Sequence, residues 1–563
     1  MKRVYSLLNQ EFIFILFFSF LLLFLSFFPT LYEAFQANNL GDSRRLMLWG
    51  EHNYTYDYNV YLAKMRLGAE GRWTVINKYT SESHRGALLQ EFYLLTGKVG
   101  GWLRLTPPIT YHLVRILLAV ALLLAIYQLI AFFLRDSFQR KIAFLLALFS
   151  GAWPRFVYYN QGWHPALFMD WWQEMDVVRR ATYVPHYLFG HLLTIVMLLS
   201  LLKRKLVWAL VSGLIAGFVH PPSLLIVWGI WGLWILWQIR ETLITKGLVK
   251  IKDGLFKDDI FRDIKRQIVS FIFLVLVTAI PLLYIQRITS IYPWKALTDF
   301  DRLHPLPFRF EEYLLALGIT FVLGVGGMIL VFWRKKETYL PLVFWVLSAF
   351  LAILIFQQIP FQSEVRFIQV AVHLPLAILA TLFLVEVSQW LKKKTGQKVL
   401  IWLVLLVLLL SLPGIYSSFK GQIGFINQRV AAVLPLVPYP SQVMYPLKGW
   451  WQAIVWLGEE TKRNEIVLSD VTAGNYIPAY SGNTVYYGHS GETIFFDQKR
   501  FVIQRFFNNQ MMEDEAFDFL KKNRISYIFF GPQEATLGYF QPYSFLETVF
   551  QNDWVIIFKV KTD

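Results

Sequence analysis

The sequence contains no cysteine, so neither a disulfide nor a thiolate metal site can form. Charged residues are scarce as well, at 16% of 563 residues, where soluble proteins carry about 25%. Hydrophobic residues make up 56% of the chain, and a soluble fold could not cover so much apolar surface with so few charges. Disorder is excluded because the chain contains 21 Trp, 28 Tyr and 49 Phe. The composition predicts a polytopic α-helical membrane protein.

Acidic residues are scarcer than basic ones, with 38 against 54, which gives a net charge of +16. In a soluble protein this excess would suggest a nucleic-acid partner. Here much of it lies in short clusters between apolar runs, at residues 203–205, 334–336 and 392–394. That distribution is typical of cytoplasmic loops of membrane proteins. The basic residues therefore predict contact with membrane lipids and not with nucleic acid.

Apolar runs predict about eleven transmembrane helices. They lie at residues 12–28, 113–134, 142–159, 186–202, 206–219, 223–239, 268–284, 313–332, 339–356, 367–390 and 400–416. The run 206–219 is shorter than the about 17 residues that a span needs. With a cytoplasmic N-terminus, all the basic clusters face the cytoplasm. We therefore predict a multi-pass protein of the cell inner (plasma) membrane with this orientation.

Two long segments then lie outside, a first loop at residues 30–112 and a tail at residues 417–563. We predict a transmembrane domain at 1–416, whose first loop carries interfacial helices, and an extracytoplasmic α/β domain at 417–563. In the tail, β-rich runs at 465–469, 484–487, 525–530 and 554–560 alternate with helical patterns at 447–457, 498–507 and 513–522. Gly474, Gly482, Gly488 and Gly491 predict a loop within it.

Residues 56–73, YDYNVYLAKMRLGAEGRW, contain Asp57, a tyrosine four residues later and a Gly-x-x-Gly-x-Trp sequence. Together with the long first loop, the following spans and the outer tail, this segment resembles the GT-C superfamily. Its members are membrane glycosyltransferases that use polyprenyl-phosphate-linked sugars, and they include the protein mannosyltransferases and the aminoarabinose transferases. The tail stretch 474–493, GNYIPAYSGNTVYYGHSGET, is similar to uncharacterised bacterial membrane proteins placed near this superfamily.

The resemblance implies transfer of a sugar from a polyprenyl-phosphate donor to a glycan, lipid or protein acceptor at the outer face. An inverting single displacement needs one carboxylate that takes the proton of the acceptor hydroxyl. Asp57 is the predicted general base, and a helix cap or loop hydrogen bond is its structural alternative. Family members often place this acid nearer the first span, so Asp42 and Glu51 remain alternative bases.

The leaving group is a phosphate, which departs as an anion and needs cationic donors more than a strong acid. The planar fork of arginine matches phosphate oxygens, so Arg366, Arg179 and Arg180 are predicted to contact the donor phosphate. The structural alternatives are salt bridges, of Arg366 with Glu364 and of the Arg179–Arg180 pair with nearby acids of the second outer loop.

Five further outer-side residues are predicted to bind substrate: Tyr61, Trp73, His84, His164 and His186. No cofactor and no metal ligand set is assigned, although His164, His186 and His220 with an outer acid leave a divalent metal as an alternative. Two other functions remain open, a lipid-linked sugar flippase or transporter and a noncatalytic scaffold whose outer domain binds glycan or protein. The uncharged middle of most spans counts against ion-coupled transport.

Overall fold

The computed structural model describes residues 2–40, 44–169, 174–254, 259–304, 308–359, 363–431 and 444–561. The helices are α1 (Lys2–Gln36), α2 (Thr55–Ala69), α3 (Glu91–Trp102), α4 (Pro107–Phe133), α5 (Ser137–Phe149), α6 (Pro185–Leu202), α7 (Leu206–Val219), α8 (Pro221–Gly254), α9 (Asp259–Ile288), α10 (Lys295–Leu303), α11 (Phe310–Leu317), α12 (Ile319–Trp333), α13 (Leu340–Phe356), α14 (His373–Thr395), α15 (Leu400–Ala431), α16 (Lys448–Glu460), α17 (Val471–Tyr480), α18 (Phe496–Phe507), α19 (Glu513–Lys522) and α20 (Pro532–Ala535). The strands are β1 (Arg155–Tyr159), β2 (Gly162–Ala166), β3 (Ile466–Leu468), β4 (Thr484–Val485), β5 (Ile525–Phe530), β6 (Leu546–Gln551) and β7 (Ile556–Val560).

The multi-pass prediction is confirmed, because many of these helices are long and apolar enough to cross a membrane. Within the described ranges there are 8 such helices, or 9 when the bent pair α11 and α12 counts as one span. Helices satisfy their own backbone hydrogen bonds, which is why apolar runs in a membrane fold in this way.

The number of about eleven spans is not confirmed, because two predicted spans form helices that are too short. Helix α7 has 14 residues and α5 has 13, so α5 is about 20 Å long against a hydrocarbon core of about 30 Å. The prediction of one continuous span at 142–159 is wrong. The helix ends at Phe149, and the antiparallel hairpin of β1 and β2 follows it.

The chain divides into two compact units. The helical unit contains Met1–Phe28, Arg115–Tyr284 and Leu306–Lys420, and the mixed unit contains Pro29–Val114, Ile285–Pro305 and Gly421–Asp563. The first loop and the tail therefore belong to one compact unit, although more than 300 residues separate them along the chain. The division into domains at residue 417 stays a prediction.

A five-stranded sheet with the order β4-β3-β5-β7-β6 forms the centre of the tail. Strand β3 is parallel to β4 and β5, whereas β7 is antiparallel to β5 and β6. Successive side chains point to opposite faces, so Val467 and Phe529 join one apolar cluster while Leu468 and Ile528 join another. The predicted α/β tail is confirmed. Strand β6 and helix α17 were not predicted.

Helix α17 lies in the glycine-rich stretch that predicted a loop. Gly474 and Pro478 both weaken an isolated helix, but packing against a neighbouring segment stabilises this one. A Cβ atom at Gly474 would lie 2.0 Å from the carbonyl oxygen of Tyr487. Only glycine permits this close approach of two backbone segments.

We expect Gly474→Ala to lower the stability of the mixed unit by about 1–3 kcal/mol or more, because the backbone of Tyr487 must move. The matched control is Gly424→Ala in α15, where an added Cβ meets nothing within 4 Å. That change should be neutral or stabilise by up to about 1 kcal/mol, since alanine is the better helix former. Thermal unfolding of both variants in detergent tests this, and equal melting temperatures would contradict it.

Candidate functional site

Asp57 is the third residue of α2, where the helix N-terminus favours a negative charge. Its side chain is 51% exposed, and its Oδ1 atom lies 3.1 Å from Nε2 of His489. Tyr54, the residue before the helix, occupies the N-cap position, so Asp57 is not the cap. The carboxylate of Asp57 is thus partly accessible and also held by a histidine from the tail.

His489 is fixed on several sides. The backbone N–H of Gly491 donates to Nδ1 at 3.1 Å, so Nδ1 is an acceptor and the ring proton is on Nε2. Nε2–H therefore donates to Asp57. The imidazole also stacks on the ring of Tyr56 with centroids 4.0 Å apart. A neutral, immobilised imidazole thus orients the Asp57 carboxylate without neutralising it.

The segment around His489 is held against the first loop by polar contacts within the mixed unit. Lys64 Nζ lies 2.6 Å from Glu492 Oε1, and both side chains are buried. Asn77 Nδ2 donates to the backbone oxygen of Glu492 at 2.7 Å. Removing one partner of a buried ion pair costs about 3–5 kcal/mol. These contacts therefore fix the position from which His489 reaches Asp57.

A second ion pair joins the same two segments. Lys499 Nζ lies 2.8 Å from Glu82, and Thr80 also donates to this carboxylate. Burial raises the pKa of Glu82, but Lys499 and Thr80 outweigh it and hold that pKa below its usual value. Glu82 is therefore a stable anion and a structural partner of the tail.

Glu51, one of the alternative bases, is only 2% exposed. It accepts a hydrogen bond from the backbone N–H of Asn53 and lies 4.0 Å from Nδ1 of His52. Burial alone would lower the pKa of His52, but Glu33 and Glu51 raise it above its usual value. Glu51 thus lies buried beside the His52 ring, while Asp57 is the more accessible carboxylate. Asp42 lies outside the described residues.

Three predicted substrate-binding residues lie in the mixed unit. Tyr61 stacks on Tyr93 with ring centroids 4.2 Å apart. Trp73 is 67% exposed, and Lys98 Nζ lies 4.0 Å from its ring centroid. His84 donates to the backbone oxygen of Glu82 and accepts from a backbone N–H, so both its nitrogens are bonded. Trp73 is therefore the most exposed ring of the three.

Arg180, in the helical unit, is buried and directs its guanidinium at backbone carbonyls. Nη1 donates to the oxygens of Ala147 and Leu148 at 2.9 and 3.0 Å, and Nη2 donates to that of Ser150 at 3.0 Å. Burial lowers the pKa of Arg180 to about 10, so it stays charged at neutral pH. Arg180 thus ties its own loop to the end of α5.

Arg179 is 19% exposed, and its Nε lies 3.5 Å from Asp176. The same carboxylate accepts from the backbone N–H of Val178 at 3.0 Å and from the hydroxyl of Ser418. Arg179 is therefore the more accessible member of the Arg179–Arg180 pair. In the same helical unit, His164 of β2 stacks on Tyr159 with ring centroids 4.0 Å apart.

Arg366 lies near the N-terminus of α6. Its Nη1 lies 3.4 Å from the hydroxyl of Tyr187. The rings of His186 and His220 lie 4.7 and 4.6 Å from the Tyr187 ring. The partial positive charge of the helix N-terminus adds to the charge of Arg366, so this position suits an anion.

The predicted site residues thus fall into two groups. Glu51, Asp57, Tyr61, Trp73 and His84 lie in the mixed unit, and His164, Arg179, Arg180, His186 and Arg366 lie in the helical unit. Sequence reasoning missed His489 as a partner of Asp57, although the glycine-flanked stretch 488–491 was noted as part of the tail resemblance. It also missed the buried pair of Glu174 and His191, whose atoms lie 2.5 Å apart. Within the described residues, no three His, Asp or Glu side chains are arranged to hold a metal ion.

No family model and no curated protein sequence matches this chain. Solved structures do resemble it. The oligosaccharyltransferase of Archaeoglobus fulgidus, tethered to an acceptor peptide containing the NVT sequon, superposes with a TM-score of 0.52 at 13% identity over 93% of this chain and 69% of that one. The same organism's enzyme in complex with an inhibitory peptide and a dolichol-phosphate gives a TM-score of 0.49 at 12% identity, with 93% and 69% covered. At this identity the likeness shows the fold alone: the chain shares the fold of this oligosaccharyltransferase, and the predicted GT-C-like fold class is confirmed.

Proposed function

We propose that this protein is a membrane glycosyltransferase that moves a sugar from a polyprenyl-phosphate donor to an outer-face acceptor, which is a glycan, a lipid or a protein. The observation that carries the proposal is the half-exposed Asp57 carboxylate held by His489. Glycosyl transfer by single displacement needs one such base within hydrogen-bond reach of the acceptor. The fold supports the same function, since the Archaeoglobus fulgidus protein of similar fold is an oligosaccharyltransferase.

In the proposed reaction, Asp57 takes the acceptor proton as the acceptor attacks the anomeric carbon. The bond from that carbon to the donor phosphate breaks, and polyprenyl phosphate leaves as an anion. One displacement inverts the configuration at the anomeric carbon. The side chain of Arg366 donates to the leaving phosphate, and exposed Trp73 stacks on a sugar ring.

The remaining predicted residues take supporting roles. Arg179 adds positive charge for the donor phosphate, and Tyr61, His84, His164 and His186 complete the substrate contacts. Arg180 positions the Arg179 loop through the carbonyls it binds. A peptide acceptor is bound by the oligosaccharyltransferase of similar fold, which supports protein as one of the three acceptor classes, beside glycan and lipid.

The function is tested with the purified full-length chain in liposomes and a tritiated polyprenyl-phosphate sugar. Glycan, lipid and protein fractions are supplied separately as acceptors. We expect protein-dependent tritium in one fraction. Label that stays on intact donor in all three fractions would contradict the proposal. Movement of intact donor across the bilayer would instead indicate a flippase, and saturable binding alone would indicate a scaffold.

We also propose an inner (plasma) membrane location with the N-terminus in the cytoplasm and the tail outside. The basic clusters at residues 203–205, 334–336 and 392–394 support this orientation. A phosphatase that is active only outside the cytoplasm should be active when fused after Asp563 and silent when fused after Arg334. The reverse pattern would place Asp57 on the cytoplasmic side and remove the outer-face site.

A further inference from the structure

A cavity of about 290 Å³ lies in the helical unit, among helices α6 to α9. The end of α6 and the turn after it form one wall, with Leu202 and Arg204. Helix α8 contributes Trp231 and Trp234, and α9 contributes a polar face. The volume is close to the lower end of the about 300–1,000 Å³ of ligand pockets. None of these residues belongs to the two groups described above.

The lining changes from charged to apolar along the membrane normal. The apolar span of α6 ends at Leu202, so Arg204 and its partner Asp263 lie at a membrane boundary. Trp234 and Trp231 lie 4 and 7 residues before Gln238, the polar residue that α8 contributes to the lining, or about 6 and 10 Å further along the helix. The cavity is therefore amphiphilic, with a charged rim and an aromatic interior.

The rim has a surplus of positive charge. Arg204 and Asp263 form a two-point pair, with Nη1–Oδ1 at 2.9 Å and Nη2–Oδ2 at 3.0 Å, so these two charges cancel. Arg266 is the second arginine of the lining and leaves a net charge of +1. Lys203 and Lys205 flank Arg204 in the same turn and add to the positive potential. The single negative charge of one phosphodiester would neutralise the net charge of the rim.

One polar side chain beside the rim, that of Gln267, offers a second contact for a bound ligand. Gln267 donates through Nε2 to Asp263 at 3.0 Å, which fixes the orientation of its amide. Its Oε1 atom is buried and has no hydrogen-bond partner within the described residues. A buried acceptor without a donor is costly, and a hydroxyl of a bound headgroup would satisfy it.

We propose that this cavity binds one anionic glycerophospholipid of the phosphatidylglycerol type. Its phosphate contacts Arg266, its glycerol hydroxyl donates to Gln267, and the start of an acyl chain lies against Trp231 and Trp234. A soluble anion would satisfy the rim but would leave the aromatic interior unfilled. Because the cavity is separate from the proposed transferase residues, the lipid site does not rest on the proposed function.

The test is native mass spectrometry of the purified full-length chain with phosphatidylglycerol, phosphatidylethanolamine or phosphatidylcholine added in turn. We expect one phosphatidylglycerol to bind at least about 10-fold more tightly than either zwitterionic lipid, since the ammonium group of a zwitterionic headgroup offsets its phosphate charge and is repelled by the positive rim. Arg266→Gln should remove this preference. Arg334→Gln, which changes an arginine paired with Glu386 outside the cavity, should keep it.

Ser270→Phe provides a second variant that fills the cavity and leaves its charges unchanged. It should reduce phosphatidylglycerol binding about as strongly as Arg266→Gln, and thermal melts report whether each variant is folded. Equal binding of the three lipids by the unmodified chain would overturn the proposal whatever the variants do. Undiminished phosphatidylglycerol binding in folded Arg266→Gln or Ser270→Phe protein would overturn it as well.

Discussion

Asp57→Asn is expected to lower the turnover number for sugar transfer by about 10²–10⁴-fold, because an amide cannot accept the proton of the acceptor. The change is nearly isosteric, and the amide oxygen can still accept the hydrogen bond from Nε2 of His489. The fold and the donor affinity should therefore be retained. Turnover at saturating donor, together with a thermal melt, measures both effects.

Asp497→Asn is the matched control, because Asp497 also lies in the first turn of a helix, α18, and is exposed. This variant should transfer sugar at the normal rate. Near-normal transfer by Asp57→Asn would indicate that Asp42 or Glu51 is the general base instead. If Asp42→Asn and Glu51→Gln were active too, a base in the first loop would be ruled out.

The Arg366→Lys variant is expected to transfer sugar slowly, although the substitution keeps the positive charge. A lysine is a point charge and cannot make the two parallel bonds that a guanidinium makes to phosphate oxygens. The contact strengthens as charge develops on the leaving phosphate, so turnover should fall together with donor affinity. Steady-state kinetics with varied donor concentration separate the two effects.

Two further variants show whether the loss is specific. Arg334→Lys changes an exposed arginine that pairs with Glu386 at 2.7 Å and should leave the kinetics unchanged. Glu364→Gln tests the alternative in which Arg366 only forms a boundary salt bridge. In that case Glu364→Gln would lower the melting temperature and Arg366→Lys would be nearly silent. A stable, fully active Arg366→Lys protein would rule out the phosphate contact.

Hydropathy predicted where helices lie better than where they end. The run 142–159 is mostly apolar, but Pro154 disfavours a helical conformation in the residue before it, and the chain forms β1 instead. Conversely, α1 continues through Pro29 to Gln36, since a proline inside a long apolar helix is tolerated in membranes. Hydropathy predicts neither the early end of α5 nor the continuation of α1 through Pro29, because both depend on backbone geometry.

The site was predictable only in part for a related reason. The first-loop motif identified Asp57, but its partner His489 lies 432 residues away along the chain. No spacing rule reaches that far, and packing around Gly474 determines where the 487–491 segment lies. Likewise, Arg179 and Arg180 are two equivalent cations as far as the sequence shows. In the structure they differ in burial, because the guanidinium of Arg180 is surrounded by backbone carbonyls that need donors.

The measurement that tests the central claim most directly uses a donor labelled with tritium in the sugar and with ³²P in the phosphate. The unmodified chain and Asp57→Asn are reconstituted separately with this donor and the acceptor fractions. Glycosyl transfer predicts that the labels separate, with tritium on the acceptor and ³²P on polyprenyl phosphate, for the unmodified chain alone. Labels that remain together on one lipid with both proteins would contradict glycosyl transfer by this chain.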